Sequence, residues 1–573
     1  MNRRPIIALA VIFSFQLSIP TIILAQNPPP SDGAGAQVER FKTGVEREKE
    51  RAEAKPLKAP EIEIAEEKEK PPAQVASFLL NEVNISGATT FSEKEFVSIY
   101  ETYLHKLVSF DDLNRIAIKI KEKYRSKWYL TSTVYIPEQE IREGKVEIRV
   151  IEGKMGRLIT EGNRWVKTKM IERYFHTKKG EVLNVRKMER DVLRLNQNPD
   201  IEVKTVISAG QEAETSDITL KVSDKFPWHA GLSEDNLGTR LVGKYRTSLY
   251  VRSTSVTGWG DSVYANSLIT ADSFGEFVSY TVPLGTYGAK AGFDFTHFGM
   301  KLGREYRDED ITGYTEFYTP RLSWEMYLSA DFQANIETGL EIKSIRRMTR
   351  SDTTSNDQLR TPYIGYSFTK IDSLGGQTTF TPRFSFGTKN ILGELPMDRP
   401  KPGRDTTEVP FVKYEHTIRR IQRMPWESYM ILNSQFQAPS RTLPSSEQMQ
   451  LGGLYSVRGY PEGDYLADIG ASLNADWVFP MYLVPKDWKL PKSDTPLRKQ
   501  IEPVAFFDIG WGQLRNVFQG ERYTKLLIGA GGGARVRLYD RIYLRLEWAQ
   551  PIGDAPTPGA DLSTFHLVFQ AEM

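Results

Sequence analysis

Residues 451–470, LGGLYSVRGYPEGDYLADIG, set Arg458 in loop-like sequence crowded with glycine and tyrosine. A guanidinium is a planar, two-pronged donor, and its natural partner is a carboxylate. Residues 506–510, FFDIG, offer one: Asp508 stands between Phe507 and Ile509, so strand alternation turns it away from their face. Gly453 and Gly459 let the backbone around Arg458 turn sharply and come close to a wall. Val457, Arg458, Gly459 and Tyr460, with Phe506, Asp508 and Gly510 opposite, form a candidate site whose chemistry is ionic anchoring. Exchanging the two charges is expected to restore part of whatever each single change removes.

Catalytic chemistries find less support. Residues 529–534, GAGGGA, match a loose dinucleotide fingerprint, but an alternating strand follows them where a helix is required. The six histidines (105, 176, 229, 297, 416 and 566) are scattered, and no serine lies in a Gly-x-Ser-x-Gly elbow. No His-Glu-x-x-His, acidic calcium loop or Walker loop occurs, so no metal or cofactor is expected. The absence of cysteine removes thiol nucleophiles and thiolate metal sites. With 75 basic and 73 acidic side chains, charge offers no argument for a nucleic-acid partner.

The elements that would position the pair begin with an export signal. Arg3 and Arg4 precede an apolar run that ends in Leu-Ala-Gln at 24–26, which reads as a signal peptide over residues 1–25. No later segment has the 18 apolar residues of a membrane helix, so any membrane insertion must use strands. Residues 26–77 are proline- and charge-rich linker. Within them, residues 37–55 have helix-forming character and a thin apolar stripe at Val38, Phe41, Val45 and Ala52. That stripe fits either a solvated helix or a docked one.

Residues 78–154 and 155–224 read as two copies of one α+β module. Val146, Ile148 and Val150 recur 72 positions on as Ile218, Leu220 and Val222, and Gly87 recurs 75 positions on as Gly162. Each copy is expected to run strand, helix, helix, strand, strand, with an open sheet edge available to an extended partner. In the first, Ser92 and Glu95 suggest a capping box, and Phe96, Ile99, Tyr103 and Leu107 step at helical spacing. Leu113, Ile116, Ile120 and Tyr124 mark a second helix. In the second copy Asn184 caps a helix carrying Val185, Met188, Val192 and Leu195.

From residue 225 to 573 helical spacing gives way to alternation. Ile542, Leu544, Leu546 and Trp548 interleave with Tyr543, Arg545 and Glu547. Export, aromatic residues near segment ends and long charged loops turn that alternation into a transmembrane β-barrel of about 16 antiparallel strands, polar within and apolar towards lipid. Phe565, Leu567, Phe569, Ala571 and Met573 form the outward stripe of a closing strand, against His566, Gln570 and Glu572. Asp508 then faces the bore, where a loop carrying Arg458 could reach it.

Residues 456–460 with 506–510 resemble the paired lumen-loop and strand motifs of the outer-membrane superfamily that joins periplasmic POTRA domains to a 16-stranded barrel. Asp235-Asn236-Leu237-Gly238, Gly258-Trp259-Gly260-Asp261 and residues 280–285, YTVPLG, add to the likeness. Two modules match the two-partner secretion transporters (TpsB group, haemolysin secretion/activation type), whereas barrel-assembly insertases typically carry more. The resemblance implies two POTRA domains that capture a large unfolded exoprotein in the periplasm, and a barrel that secretes it. It also implies that residues 37–55 can plug the bore, with Val38, Phe41 and Val45 inward. Implied partners are the exoprotein, outer-membrane lipid and lipopolysaccharide, and barrel-assembly machinery for insertion. Barrel-assembly factor and passive porin are the competing readings. One departure is Met573, where such barrels commonly end in an aromatic residue.

Overall fold

The computed structural model describes residues 32–53, 59–64, 77–388, 409–517, 521–539, 541–557 and 563–573. The expected signal peptide lies outside them.

Sixteen antiparallel strands close into one barrel from Trp228–Asp235 to Thr564–Glu572. Closure sets Gly231 opposite Glu572 and Asp235 opposite Val568, so no strand edge is left for lipid to meet. Ser273–Pro283 displays the two-faced pattern: Ser273, Gly275, Phe277 and Ser279 point inward and are buried, while Phe274, Val278 and Tyr280 are exposed towards lipid. In Ile542–Pro551, Arg545 and Glu547 are buried inward and Trp548 faces out. On the closing strand Phe565 is exposed and His566 buried.

A helix and a loop occupy the interior. Helix α1 (Ala34–Glu53) lies in the bore. Between the barrel strands Tyr429–Pro439 and Ile469–Val478 the chain folds inward as a small hairpin, Met449–Leu451 paired with Tyr465–Ala467.

Two modules precede the barrel. In the first, helices α2 (Lys94–Tyr100) and α3 (Phe110–Ser126) cover a sheet of Glu82–Ser86, Lys145–Ile151 and Thr133–Tyr135. Val83, Phe96, Leu113, Ile116, Ile120, Tyr124, Val146 and Ile148 make its core. The full capping box is at the start of α3, where Ser109 and Asp112 exchange bonds. At Ser92 only half of one forms: the Ser92 N–H donates to Glu95 at 3.1 Å, but α2 begins at Lys94 without a side-chain cap.

The helix expected from Phe96 to Leu107 is shorter. It ends at Tyr100, continues as a 3-10 turn over Glu101–Tyr103, and Leu107 falls on the strand Lys106–Ser109, exposed and opposite Leu79. The His105 N–H donates to Leu80 O at 2.7 Å, so pairing with Ser77–Leu80 overrides the local helical spacing.

The second module runs Lys154–Glu161, α4 (Thr168–Arg173), α5 (Val185–Asn196), Ile201–Ala209 and Thr215–Asp224. Asn184 caps α5, accepting from the Arg186 and Lys187 N–H groups. Gly87 and Gly162 are structural equivalents, with φ of +80° and +89°. A Cβ on either would lie 2.2 or 2.4 Å from the carbonyl oxygen of Val150 or Val222. One edge of this sheet is covered, because Ile62–Ile64, read from sequence as linker, pairs in parallel with Ile201–Ala209, while Lys154–Glu161 stands at the other edge. Ile62 supplies the reason by packing against the module's core.

Candidate functional site

The inward hairpin delivers Arg458 to the barrel wall. Asp508 Oδ2 accepts from the Arg458 N–H at 3.0 Å and from Nε at 2.7 Å, and Asp508 Oδ1 accepts from Nη2 at 2.6 Å. Two further wall acids complete the shell: Asp476 accepts from Nη2 at 2.5 Å and Glu547 from Nη1 at 3.0 Å. Arg535 bonds Asp476 at 2.5 Å and Glu547 at 2.7 Å, and Arg545 bonds Glu547 at 2.7 Å. Three guanidiniums thus meet three carboxylates with formal neutrality, the arrangement a desolvated ionic cluster requires. Arg458 is 1% exposed and Asp508 0%, so the cluster is dry at its centre.

Neighbouring residues provide the fit. Phe506 lies under the guanidinium, with Arg458 Cζ 3.6 Å from its ring centroid. Gly510 leaves room for Val457. Gly529, from the run that mimics a dinucleotide loop, sits under the Arg458 carbonyl. A Cβ there would lie 1.9 Å from that oxygen, so the loop backbone can seat only over a glycine. Gly459 takes φ +95° and accepts from Thr564 Oγ1 at 3.2 Å through its carbonyl. Tyr460 is fully buried and its hydroxyl accepts from the Ile528 N–H at 3.3 Å.

Val457, Arg458, Gly459 and Tyr460 therefore meet Phe506, Asp508 and Gly510 directly. Asp476, Glu547, Arg535 and Arg545 are the members sequence reasoning did not single out as a group. Each occupies an inward strand position, which is the one signal available for them.

Helix α1 presents Val38, Phe41 and Val45 to an apolar patch of the wall, where all three are buried and Phe41 stacks on Phe298 at 5.7 Å. Ala52 is half-buried. Its polar side is bonded too: Lys42 to Glu341 at 2.9 Å, Glu39 to Lys343 at 2.7 Å, Lys49 to Ser279 at 2.8 Å and Arg51 to Gln570 at 2.7 Å. A narrow apolar stripe suffices because the surrounding bore is itself polar. The helix also touches the inward loop, for Gln450 Nε2 donates to Ala36 O at 2.7 Å and Arg47 lies 4.4 Å above the Tyr455 ring. At the loop's base Glu447 bonds Lys343 and Lys413, each at 2.8 Å. Lys343 therefore joins wall, loop and helix.

A family model for the haemolysin secretion/activation protein ShlB/FhaC/HecB matches residues 214–536, more than half of the chain. The chain belongs to this haemolysin secretion/activation family. A POTRA domain of ShlB type matches residues 78–153. The heme/hemopexin transporter protein HuxB of Haemophilus influenzae (strain 86-028NP) is 24% identical over 589 residues, covering 99% of each chain. The outer membrane transporter CdiB of Dickeya dadantii is 23% identical over 403 residues, covering 67% of this chain and 69% of its own. The solved structure of CdiB from Escherichia coli shares the fold, with a TM-score of 0.72 at 18% identity over 96% of this chain and 100% of that one.

Members of the haemolysin secretion/activation family named here are two-partner secretion transporters, so secretion and not barrel assembly is the family's activity. The protein is an outer-membrane secretion transporter with its POTRA domain in the periplasm. In that setting the loop cluster and α1 are contents of a secretion pore. The cluster's members are buried and mutually neutralised, whereas α1 is held by separate contacts spread around the wall.

Proposed function

We propose that the protein captures one large exoprotein, unfolded, in the periplasm and passes it through the barrel after α1 withdraws, for folding outside. Residues 1–25 act as the export signal, 26–77 as a linker that carries the plug helix and the strand Ile62–Ile64 docked on the second module, 78–154 and 155–224 as the capturing POTRA domains, and 225–573 as the pore. Outer-membrane lipid and lipopolysaccharide surround the barrel, and barrel-assembly machinery inserts it. Arg458 and Asp508 are supports for the inward loop and take no part in covalent chemistry; transport needs neither cofactor nor metal.

The observation that carries this reading is α1 itself. It lies in the bore as a separate helix, bonded to the wall and to the inward loop, and withdrawal would exchange those contacts for water and cargo. Capture along strand edges followed by folding outside gives passage its direction.

Deleting residues 32–53 from the purified protein should raise single-channel conductance in planar bilayers; unchanged conductance removes α1 as the plug. Deleting residues 78–154 should abolish secretion of the cognate exoprotein while other outer-membrane barrels accumulate normally. A general loss of barrels would turn the assignment to assembly.

A further inference from the structure

The second module carries its own lipid-facing surface. Trp228 and Tyr280 are outward-facing and exposed at the periplasmic ends of their strands. Beside Trp228, Phe226 meets Trp165 of the module edge to face, 5.0 Å between centroids, and both rings are exposed. Beside Tyr280 is a cleft lined by Tyr280, Val282, Trp259 and Asp261 from the barrel and by Met170 and Arg173 from α4. The module's aromatic residues thus continue the barrel's own girdle.

Cations accompany the rings. Arg164 Cζ lies 4.8 Å above Trp165, and Lys167 Nζ lies 5.2 Å above Trp259 while donating to Thr257 O at 2.8 Å. Arg173 is exposed and has no carboxylate partner among the described residues. The nearby acids are already engaged. Asp224 accepts from the Arg164, Trp165 and Val166 N–H groups at 2.9, 2.7 and 2.8 Å. Asp261 accepts from Thr257 N–H, Thr257 Oγ1 and Tyr280 OH at 3.0, 2.8 and 2.9 Å. Glu172, half-buried on α4, accepts from Thr160 Oγ1 at 3.5 Å; against this one acid stand Arg164, Lys167, Lys169 and Arg173, all exposed, so the segment presents net positive charge among aromatic rings.

We propose that residues 164–173 of the second module bind the phosphate headgroups of the outer membrane's periplasmic leaflet, so that lipid fixes the module's orientation against the barrel. Continuity with the lipid-facing wall favours phospholipid over the exoprotein as occupant. Anionic headgroups are preferred, since each cation near such a surface is attracted to its negative potential.

The chain has no cysteine, so Lys169→Cys on α4 accepts a single bimane label, with Lys119→Cys on α3 as control. The full-length protein is placed in nanodiscs containing headgroup-spin-labelled phospholipid in either phosphatidylglycerol or phosphatidylcholine. Quenching at position 169 should exceed that at 119 by at least twofold and be greater in phosphatidylglycerol. Arg164→Gln with Arg173→Gln should remove the phosphatidylglycerol excess, and Arg164→Lys with Arg173→Lys should retain it. Equal quenching at 169 and 119 overturns the proposal, and so does an excess that survives the glutamine pair.

Discussion

Asp508 takes three hydrogen bonds from one residue, Arg458: from its backbone N–H at 3.0 Å, Nε at 2.7 Å and Nη2 at 2.6 Å. The contact fixes the loop's backbone and its side-chain tip together, which a point-charge lysine cannot do. Arg458→Lys should therefore impair secretion nearly as much as Arg458→Ala. Arg458→Ala leaves a buried acid uncompensated, at a cost of about 3 to 5 kcal/mol to the seated loop; Arg458→Lys keeps the charge but has three donors on one nitrogen where the guanidinium makes four bonds to three acids. Protease protection of residues 449–467 in proteoliposomes checks this, and a fully protected, secreting Arg458→Lys would refute it.

Sequence alone leads to the expectation that exchanging Arg458 and Asp508 restores part of the function. The geometry reverses that expectation. An acid at 458 would sit between Asp476 and Glu547, both within 3.0 Å of the present guanidinium. The double exchange should secrete no better than either single variant, measured as exoprotein in the medium; recovery would mean the loop seats elsewhere.

Lys343 bonds Glu39 on the helix, Glu341 on the wall and Glu447 in the loop at 2.7, 3.0 and 2.8 Å. Lys343→Met should leave these acids facing one another and loosen α1. Open events in single-channel records should become at least several-fold more frequent, while the open conductance matches that of the helix deletion. Unaltered gating would show that the apolar stripe and the helix's other polar contacts, Lys42 with Glu341 among them, retain α1 without Lys343.

The legible parts of this fold were those where one residue's neighbours decide its state. Alternation in Ile542–Pro551 identified inward Arg545 and Glu547 because every barrel position is either lipid or bore. The Gly87 and Gly162 repeat was legible because both copies need the same left-handed turn beneath a carbonyl. Asp476 and Glu547 were not recognised as partners of Arg458, since an inward acid looks the same wherever it sits. Only closure brings Ile469–Val478, Ile501–Gln513 and Ile542–Pro551 around one point. Leu107 and Ile62–Ile64 were misread for the opposite reason: distant backbone pairing, not local spacing, decided them.

Glu152 gives the first module a pH dependence. Burial pushes its carboxyl up, but hydrogen bonds from Thr89, Tyr124 and the Thr90 N–H outweigh burial and hold it below the ordinary 4.5. A depressed folded value means the stabilisation is present above the unfolded pKa and is lost as pH falls through the folded one. The protection factors of the amides across Lys145–Ile151 in the full-length protein, each taken against intrinsic exchange at the same pH, should fall as pH drops below the ordinary carboxylate value of 4.5. Glu152→Gln should be less protected at pH 7 and show a flatter acid response; an unchanged profile would exclude this carboxylate.

Glu325, on the barrel strand Ile311–Leu328, accepts from Arg194 Nε at 3.0 Å and Nη2 at 2.8 Å, and from Gln197. Arg194 also reaches Thr286 O at 3.0 Å, so α5 is tied to two barrel segments at once. The pair's side chains are 10% and 5% exposed, and Glu325→Ala would leave a mostly buried guanidinium facing only a carbonyl. The distance distribution between spin labels on Lys187→Cys and Tyr287→Cys should broaden in this variant and narrow again in Glu325→Asp. Secretion should fall with the broadening, because cargo released from the modules must find the pore mouth at a fixed place. A narrow distribution in Glu325→Ala would assign the module's orientation to its other contacts, His176 with Thr286 at 2.9 Å among them.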